Sequence, residues 1–294
     1  MLFGNKKKGS NLTSIPETSG GQLRLIGDRG SGKTGYLASL AYWPNASTES
    51  PVDSVIPVGQ ESQELVKKAR DILEQGLQFE PTRLDRDVDD MKDYALSINL
   101  KKKLGRQVQL NISCKDYSGE FFSDLLYKAG DPLLNDYVED CCFANGLLVL
   151  VDGTAHRKDS EYAIGMEKLL MELDRGQLDT KQRRIALVLS KCEQSELWVS
   201  RHQPKQLAAR RFRQLSQKLE VWSAQGGGSV NYFAASAFGV LGKQFPEPNS
   251  QQIRRSRDGT TSIIKRPKLW RPFGLVSPIY WLCTGERHSQ LDRD

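Results

Sequence analysis

An α/β fold with a central, largely parallel sheet is predicted by three features of this 294-residue chain. Strand and helix signals alternate from about residue 21 almost to the end. A glycine-rich turn separates the first strand signal from the first helix. A bare apolar run, Leu147–Val151, has the composition of a central strand buried on both faces.

In order, residues 1–20 are polar, rich in Gly, Ser and Lys, and are expected to form a loose arm. Leu23–Ile26 reads as the first strand and Lys33–Tyr42 as the helix behind it. Val55–Val58 reads as a strand. Leu65, Ala69, Ile72 and Leu73 then recur at helical spacing until Gly76, a residue suited to ending a helix. Tyr94–Leu100 and Gln107–Cys114 alternate apolar with polar around a turn at Gly105, which predicts a hairpin and so one antiparallel strand. Gly119–Asn145 is mostly helical in pattern, and Leu147–Val151 follows as a strand. Helix Glu161–Leu173 and strand Ile185–Leu189 come next. A long helix from Pro204 follows, with Ala208, Phe212, Leu215, Leu219 and Trp222 on one face, and then a last strand, Val230–Ala234. Residues 242–272 break the alternation with four prolines and a run of Arg and Lys; a loop or small excursion is expected. An apolar helix near Gly274–Cys283 closes the domain, which spans 21–285, and 286–294 form a tail.

Composition narrows the function classes. The net charge of +6 favours acidic surfaces without naming one. No stretch approaches the ~20 apolar residues of a membrane helix. No secretory leader, myristoylation signal or prenylation box is recognisable. The five cysteines show no C-x-x-C pair, and Cys141 and Cys142 are adjacent, so a reduced, cytoplasmic chain is expected. His156, His202 and His288 are too scattered to ligate a metal. Trp270, Phe273, Tyr280 and Trp281 beside the basic stretch are expected to pack the last helix onto the sheet rather than stack on nucleic acid. The basic residues of 254–271 are a candidate contact for an anionic surface.

The informative motif is Gly27-Asp28-Arg29-Gly30-Ser31-Gly32-Lys33-Thr34, which fits G-x-x-x-x-G-K-S/T between a strand and a helix that continues at Gly35. Glycines let successive N–H groups line one anion-sized cup, and the helix N-terminus adds partial positive charge. Lys33 is placed to reach the β- and γ-phosphates, and the Thr34 hydroxyl to ligate Mg²⁺. A second motif, Asp116-Tyr117-Ser118-Gly119, ends the second hairpin strand as D-x-x-G. In a nucleotide switch the Asp of such a motif holds a Mg²⁺-bound water and the Gly N–H touches the γ-phosphate. Downstream stand Ser190-Lys191-Cys192-Glu193 after one strand and Ser236-Ala237 after another.

In the order and spacing of these elements the chain resembles the Ras-like P-loop GTPases over roughly residues 21–240, and is most similar to bacterial double-GTPase type domains. The resemblance implies a three-layer fold, GTP with Mg²⁺ as cofactors, and an effector or activator protein as partner. In the family, a side chain at the position of Glu193 binds guanine, beside Ser190 and Lys191, and the backbone at Ser236-Ala237 supports the base. Gly76-Leu77-Gln78-Phe79-Glu80-Pro81-Thr82 is similar to the stretch that carries the mobile Mg²⁺-binding threonine, which makes Thr82 the candidate.

Three departures set limits. Glu193 replaces the usual Asp and is longer by about 1.5 Å, one covalent bond. Glu120 follows Gly119 where relatives carry a water-orienting Gln, and a carboxylate there repels the γ-phosphate unless it is turned away. No arginine finger is marked, although Arg29 lies within the phosphate loop. Slow unaided hydrolysis is therefore expected, in a class whose intrinsic rates are about 10⁻⁴–10⁻² s⁻¹. ATP is not excluded, because Asp152 after its apolar run also reads as the Mg²⁺ acid of an ATPase. An inert nucleotide-binding module is the other alternative.

Overall fold

The computed structural model describes residues 17–43, 50–75, 91–101, 108–117, 120–128, 130–176, 183–242, 246–255 and 259–292, with backbone alone for 17–18, 75, 252–255 and 259–261. The first half runs β1 (Glu17–Ile26), α1 (Lys33–Ala41), β2 (Val52–Val58), α2 (Gln60–Gln75), β3 (Asp93–Leu100), β4 (Val108–Asp116), α3 (Phe121–Tyr127) and α4 (Pro132–Phe143). The second runs β5 (Gly146–Asp152), α5 (Asp159–Arg175), β6 (Arg184–Ser190), α6 (Ser195–Trp198), α7 (Pro204–Arg211), α8 (Arg213–Ala224), β7 (Ser229–Ala234), β8 (Ser250–Arg255), β9 (Gly259–Ile264) and α9 (Val276–Thr284).

Seven strands form one sheet in the order β2-β3-β4-β1-β5-β6-β7. β1 pairs in parallel with both β4 and β5, and β5, β6 and β7 continue in parallel. β3 runs antiparallel to both its neighbours, so it alone is reversed within the sheet. This is the mostly parallel architecture with one antiparallel hairpin strand that the sequence predicts. From β1 the chain crosses to the sheet edge at β2, returns through β3 to β4 beside β1, and then continues on the other side through β5, so the turn after β1 lies at a topological switch point, where α/β sheets place ligands.

Period-two alternation divides each central strand between two cores. Leu148 and Leu150 join Leu23, Leu25, Ala186 and Val188 under α1, α2 and α9. Leu147, Val149 and Val151 join Ile26, Ile185, Leu187 and Leu189 under α3, α4, α5 and α8. The apolar run read as one buried strand thus serves both faces, and each fully buried large side chain contributes about 1.5–3 kcal/mol. Trp270 and Trp281 are buried in the first core, as expected of the closing helix.

The elements depart from expectation, or make it specific, in three places. β1 starts at Glu17, inside the polar stretch read as an arm, because β4 supplies backbone partners from Val108 onward whatever the side chains are. The helix from Pro204 breaks at Phe212, whose backbone leaves the helical region (φ −131°, ψ 62°). The second piece has a new N-terminus, and Asp159 of α5 caps it by accepting from the Gln214 and Leu215 N–H groups at 2.9 and 3.0 Å. Within 242–272, β8 and β9 form an antiparallel hairpin of their own. Among the described residues, no helix is long and apolar enough to cross a membrane.

Because Asp159 satisfies two orphan donors of α8, Asp159→Ala is expected to cost about 1–2 kcal/mol. Urea unfolding should show a lower midpoint with an unchanged slope, and Asp159→Asn should recover most of the loss.

Candidate functional site

The parallel strands deliver their following loops to one edge of the sheet. There the Gly27–Gly32 turn crosses from β1 to α1. Gly30 and Gly32 hold left-handed backbone, φ 81° and 95°, which glycine adopts without strain. Gly27 is required for a different reason: a Cβ there would lie 2.4 Å from the Leu150 carbonyl oxygen and 2.7 Å from Ser31 Oγ. The Ser31 N–H bonds the Asp28 carbonyl at 3.1 Å and closes the turn. From above, the Ser190 hydroxyl bonds the Ser31 carbonyl at 2.6 Å, which ties the loop to the end of β6.

α1 begins at Gly32 with no side-chain cap and no acid in its first turn. Its dipole and first-turn donors are thus directed at the loop. Lys33 is 7% exposed, and its Nζ lies across the loop, donating to the Gly27 carbonyl at 2.6 Å and the Asp28 carbonyl at 3.4 Å. An uncapped helix start, two left-handed glycines and an ammonium held by carbonyls fit a bound polyphosphate. The buried Ser31 Oγ, which has no hydrogen-bond partner among the described residues, is a further polar group beneath the turn. Arg29 is exposed at the tip of the loop. Behind the loop, Ser39 of α1 donates to the Ala237 carbonyl at 3.0 Å, and Tyr36 donates to the Leu275 carbonyl, so α1 is fastened to the loop after β7 and to the start of α9.

The acids of this edge differ in their surroundings. Asp116 ends β4 at 7% exposure, in register with Leu25, two residues before Gly27. Asp152 ends β5; its Oδ1 accepts from the Thr154 N–H and hydroxyl at 2.9 and 2.7 Å, and its Oδ2 pairs with Lys191 Nζ at 2.5 Å. Lys191 is the one non-glycine residue with positive φ, 58°, among the described residues. Asp28 is 1% exposed. Its Oδ1 accepts the Phe122 N–H at 3.0 Å, and its Oδ2 lies 3.3 Å from Lys158 Nζ. Glu120, at the N-cap position of α3, lies 3.5 Å from the same ammonium. Burial lowers the pKa of Lys158, but Asp28 and Glu120 outweigh it and leave that pKa above the ordinary lysine value.

Glu193 is 2% exposed. It accepts from Ser250 of β8 at 3.2 Å and from Gln194 at 3.5 Å, and it faces the hydroxyl of Ser236, whose Oγ accepts the Gly239 N–H at 2.8 Å. The carboxylate assigned to guanine by resemblance is thus engaged by the β8–β9 hairpin. Burial raises its pKa, and the bonds from Ser236, Ser250 and Gln194 offset part of the rise. Ser236 also pairs its backbone with Phe273, at 2.9 and 3.0 Å, which braces the Ser236-Ala237 loop from behind.

The loop residues, Asp116, Glu120, Ser190, Lys191, Glu193, Ser236 and Ala237 all follow the sheet's strands at one edge. Thr82 and Gly119 lie outside the described residues. Sequence reasoning missed Lys158, Ser250 and Arg211. Arg211 donates to the Gly153 carbonyl at 3.2 Å and pairs with Glu196 at 2.7 Å. These three carry no motif, because their partners are distant in sequence.

No protein-family profile matches this chain, and no curated protein matches it. Solved structures are similar at the level of fold. A small GTPase (Arl6, BBS3) of Trypanosoma brucei with bound GppNp is 10% identical, with 74% of this chain and 88% of that one covered and a TM-score of 0.36. The septin GTPase domain of Chlamydomonas reinhardtii is 13% identical, with 95% and 96% covered and a TM-score of 0.37. The GTPase-like domain of S. cerevisiae Ski7, bound to GTP, is 14% identical, with 79% and 48% covered and a TM-score of 0.38. The strand order and the helices on both faces of the sheet, rather than these distant likenesses, define the three-layer α/β fold.

The raised pKa of Glu193 has a consequence for stability. The folded state keeps a proton that the unfolded chain has already lost, so stability falls as pH rises through the folded pKa. Glu193→Gln should remove that slope: as pH rises above the ordinary glutamate range, the variant gains on wild type in urea unfolding. Parallel curves across that range would contradict the assignment.

Proposed function

We propose that this chain binds a nucleoside triphosphate with Mg²⁺ on the Gly27–Thr34 loop, prefers GTP, and acts as a switch with slow hydrolysis that signals to a protein partner. The observation that carries the reading is the uncapped start of α1 at a left-handed Gly32, with Lys33 Nζ folded across the loop at the sheet's switch point. Thr34 and Asp116 are the described candidates for holding Mg²⁺, with Thr82 as a third. The cation would screen the phosphate charge and polarise the γ-phosphate.

An ATPase using Asp152 is less well supported, because both oxygens of that carboxylate are engaged by Thr154 and Lys191. A second reading has its own observation. Glu193 is bonded to Ser250 and Glu120 is paired with Lys158, which favours a module that holds nucleotide without turnover.

Titration with fluorescent GTP and ATP analogues, with and without Mg²⁺, tests the first reading. GTP should bind more tightly and only with Mg²⁺ present; equal weak binding of both would refute guanine preference. Lys33→Ala removes a charge-assisted contact and should weaken binding about 10- to 100-fold. Single-turnover phosphate release separates the two readings: release above the Lys33→Ala control supports the switch, and none supports the module.

A further inference from the structure

The phosphate loop carries its own acid. Asp28 is buried within a turn built for an anion, and a buried carboxylate there opposes any polyphosphate. Lys33 donates to the loop's carbonyl oxygens, so it does not meet this charge. Lys158, from the turn after β5, does: its ammonium lies 3.3 Å from Asp28 Oδ2 and 3.5 Å from Glu120 Oε2, at 39% side-chain exposure. Asp28 also holds the first turn of α3 through the Phe122 N–H at 3.0 Å. One carboxylate and one ammonium therefore join three loops, those after β1, β4 and β5.

Resting on the nucleotide reading above, we infer that Lys158 is a positioning residue that neutralises Asp28, so that the loop can accept a polyphosphate, and that draws Glu120 into the same ion cluster, away from the γ-phosphate. The cluster fixes the start of α3 against the phosphate loop. The segment that follows D-x-x-G is thereby coupled to the state of the site. Lys158 touches no ligand in this account and acts through Asp28 and Glu120.

The full chain tests this as wild type, Lys158→Met, Lys158→Arg, Asp28→Asn and the Asp28→Asn/Lys158→Met double variant. Lys158→Met keeps the stem and removes the charge, and Asp28→Asn keeps an acceptor for Phe122. The probe is a fluorescent, non-hydrolysable GTP analogue with Mg²⁺, and nucleotide-free urea unfolding runs alongside. Lys158→Met should weaken binding on the order of tenfold, while Lys158→Arg stays within about threefold of wild type. The double variant should return to within about threefold, because no buried acid is left to neutralise. A merely structural lysine would leave the double variant as weak as Lys158→Met, and that result, or wild-type affinity in Lys158→Met, overturns the inference. A wild-type chain that binds no triphosphate overturns the parent reading as well. In that case additive stability losses in the nucleotide-free cycle would show that Asp28 and Lys158 are not coupled at all.

Discussion

The edge chemistry of this molecule depends on a close approach at Gly27, where the chain leaves β1 directly against the carbonyl of Leu150. With a Cβ only 2.4 Å from that oxygen, the turn could not pass the end of β5 and reach α1 in six residues. The tight passage aims the helix start at the sheet edge and lays Lys33 across the loop. Ser190 then holds the turn from the next strand, so β1, β5 and β6 fix one loop together. Parallel pairing is what makes this possible, because it brings the carboxyl ends of these strands to one line.

Electrostatics at the edge follow from how its acids are matched. Asp152 has Lys191, Asp28 and Glu120 share Lys158, and Glu193 is held among hydroxyls and an amide. Lys33 differs, since its described contacts are to carbonyl oxygens. Its charge is thus left for an anion, in a pocket whose helix dipole has the same sign. Pairing the acids costs desolvation and returns modest energy at half-exposed sites. Its larger effect is positional, because each pair links a loop to a neighbouring loop.

Much of the fold was legible because its signals are local. Glycine at 27, 30 and 32, the alternation in β3 and β4, and the apolar run of β5 each state their conformation within a few residues. The break at Phe212 was not legible, since its cap, Asp159, lies in another helix. The start of β1 at Glu17 was hidden for a similar reason: polar residues join a strand when a neighbour supplies the backbone bonds. In the site, the motifs marked the loop and its flanking strand ends. They did not show that Asp28 caps α3, that Ser250 reaches Glu193, or that Lys158 stands between two acids. Those contacts join residues 38 to 130 positions apart.

The central claim is that backbone amides of the first loop and the first turn of α1 enclose a polyphosphate. Amide-resolved hydrogen exchange of the full chain, with and without a Mg²⁺-bound non-hydrolysable GTP analogue, addresses it most directly. Protection should rise at Gly30–Gly35 before anywhere else. Protection confined to the basic hairpin of β8 and β9, or no change at the loop, would contradict the account.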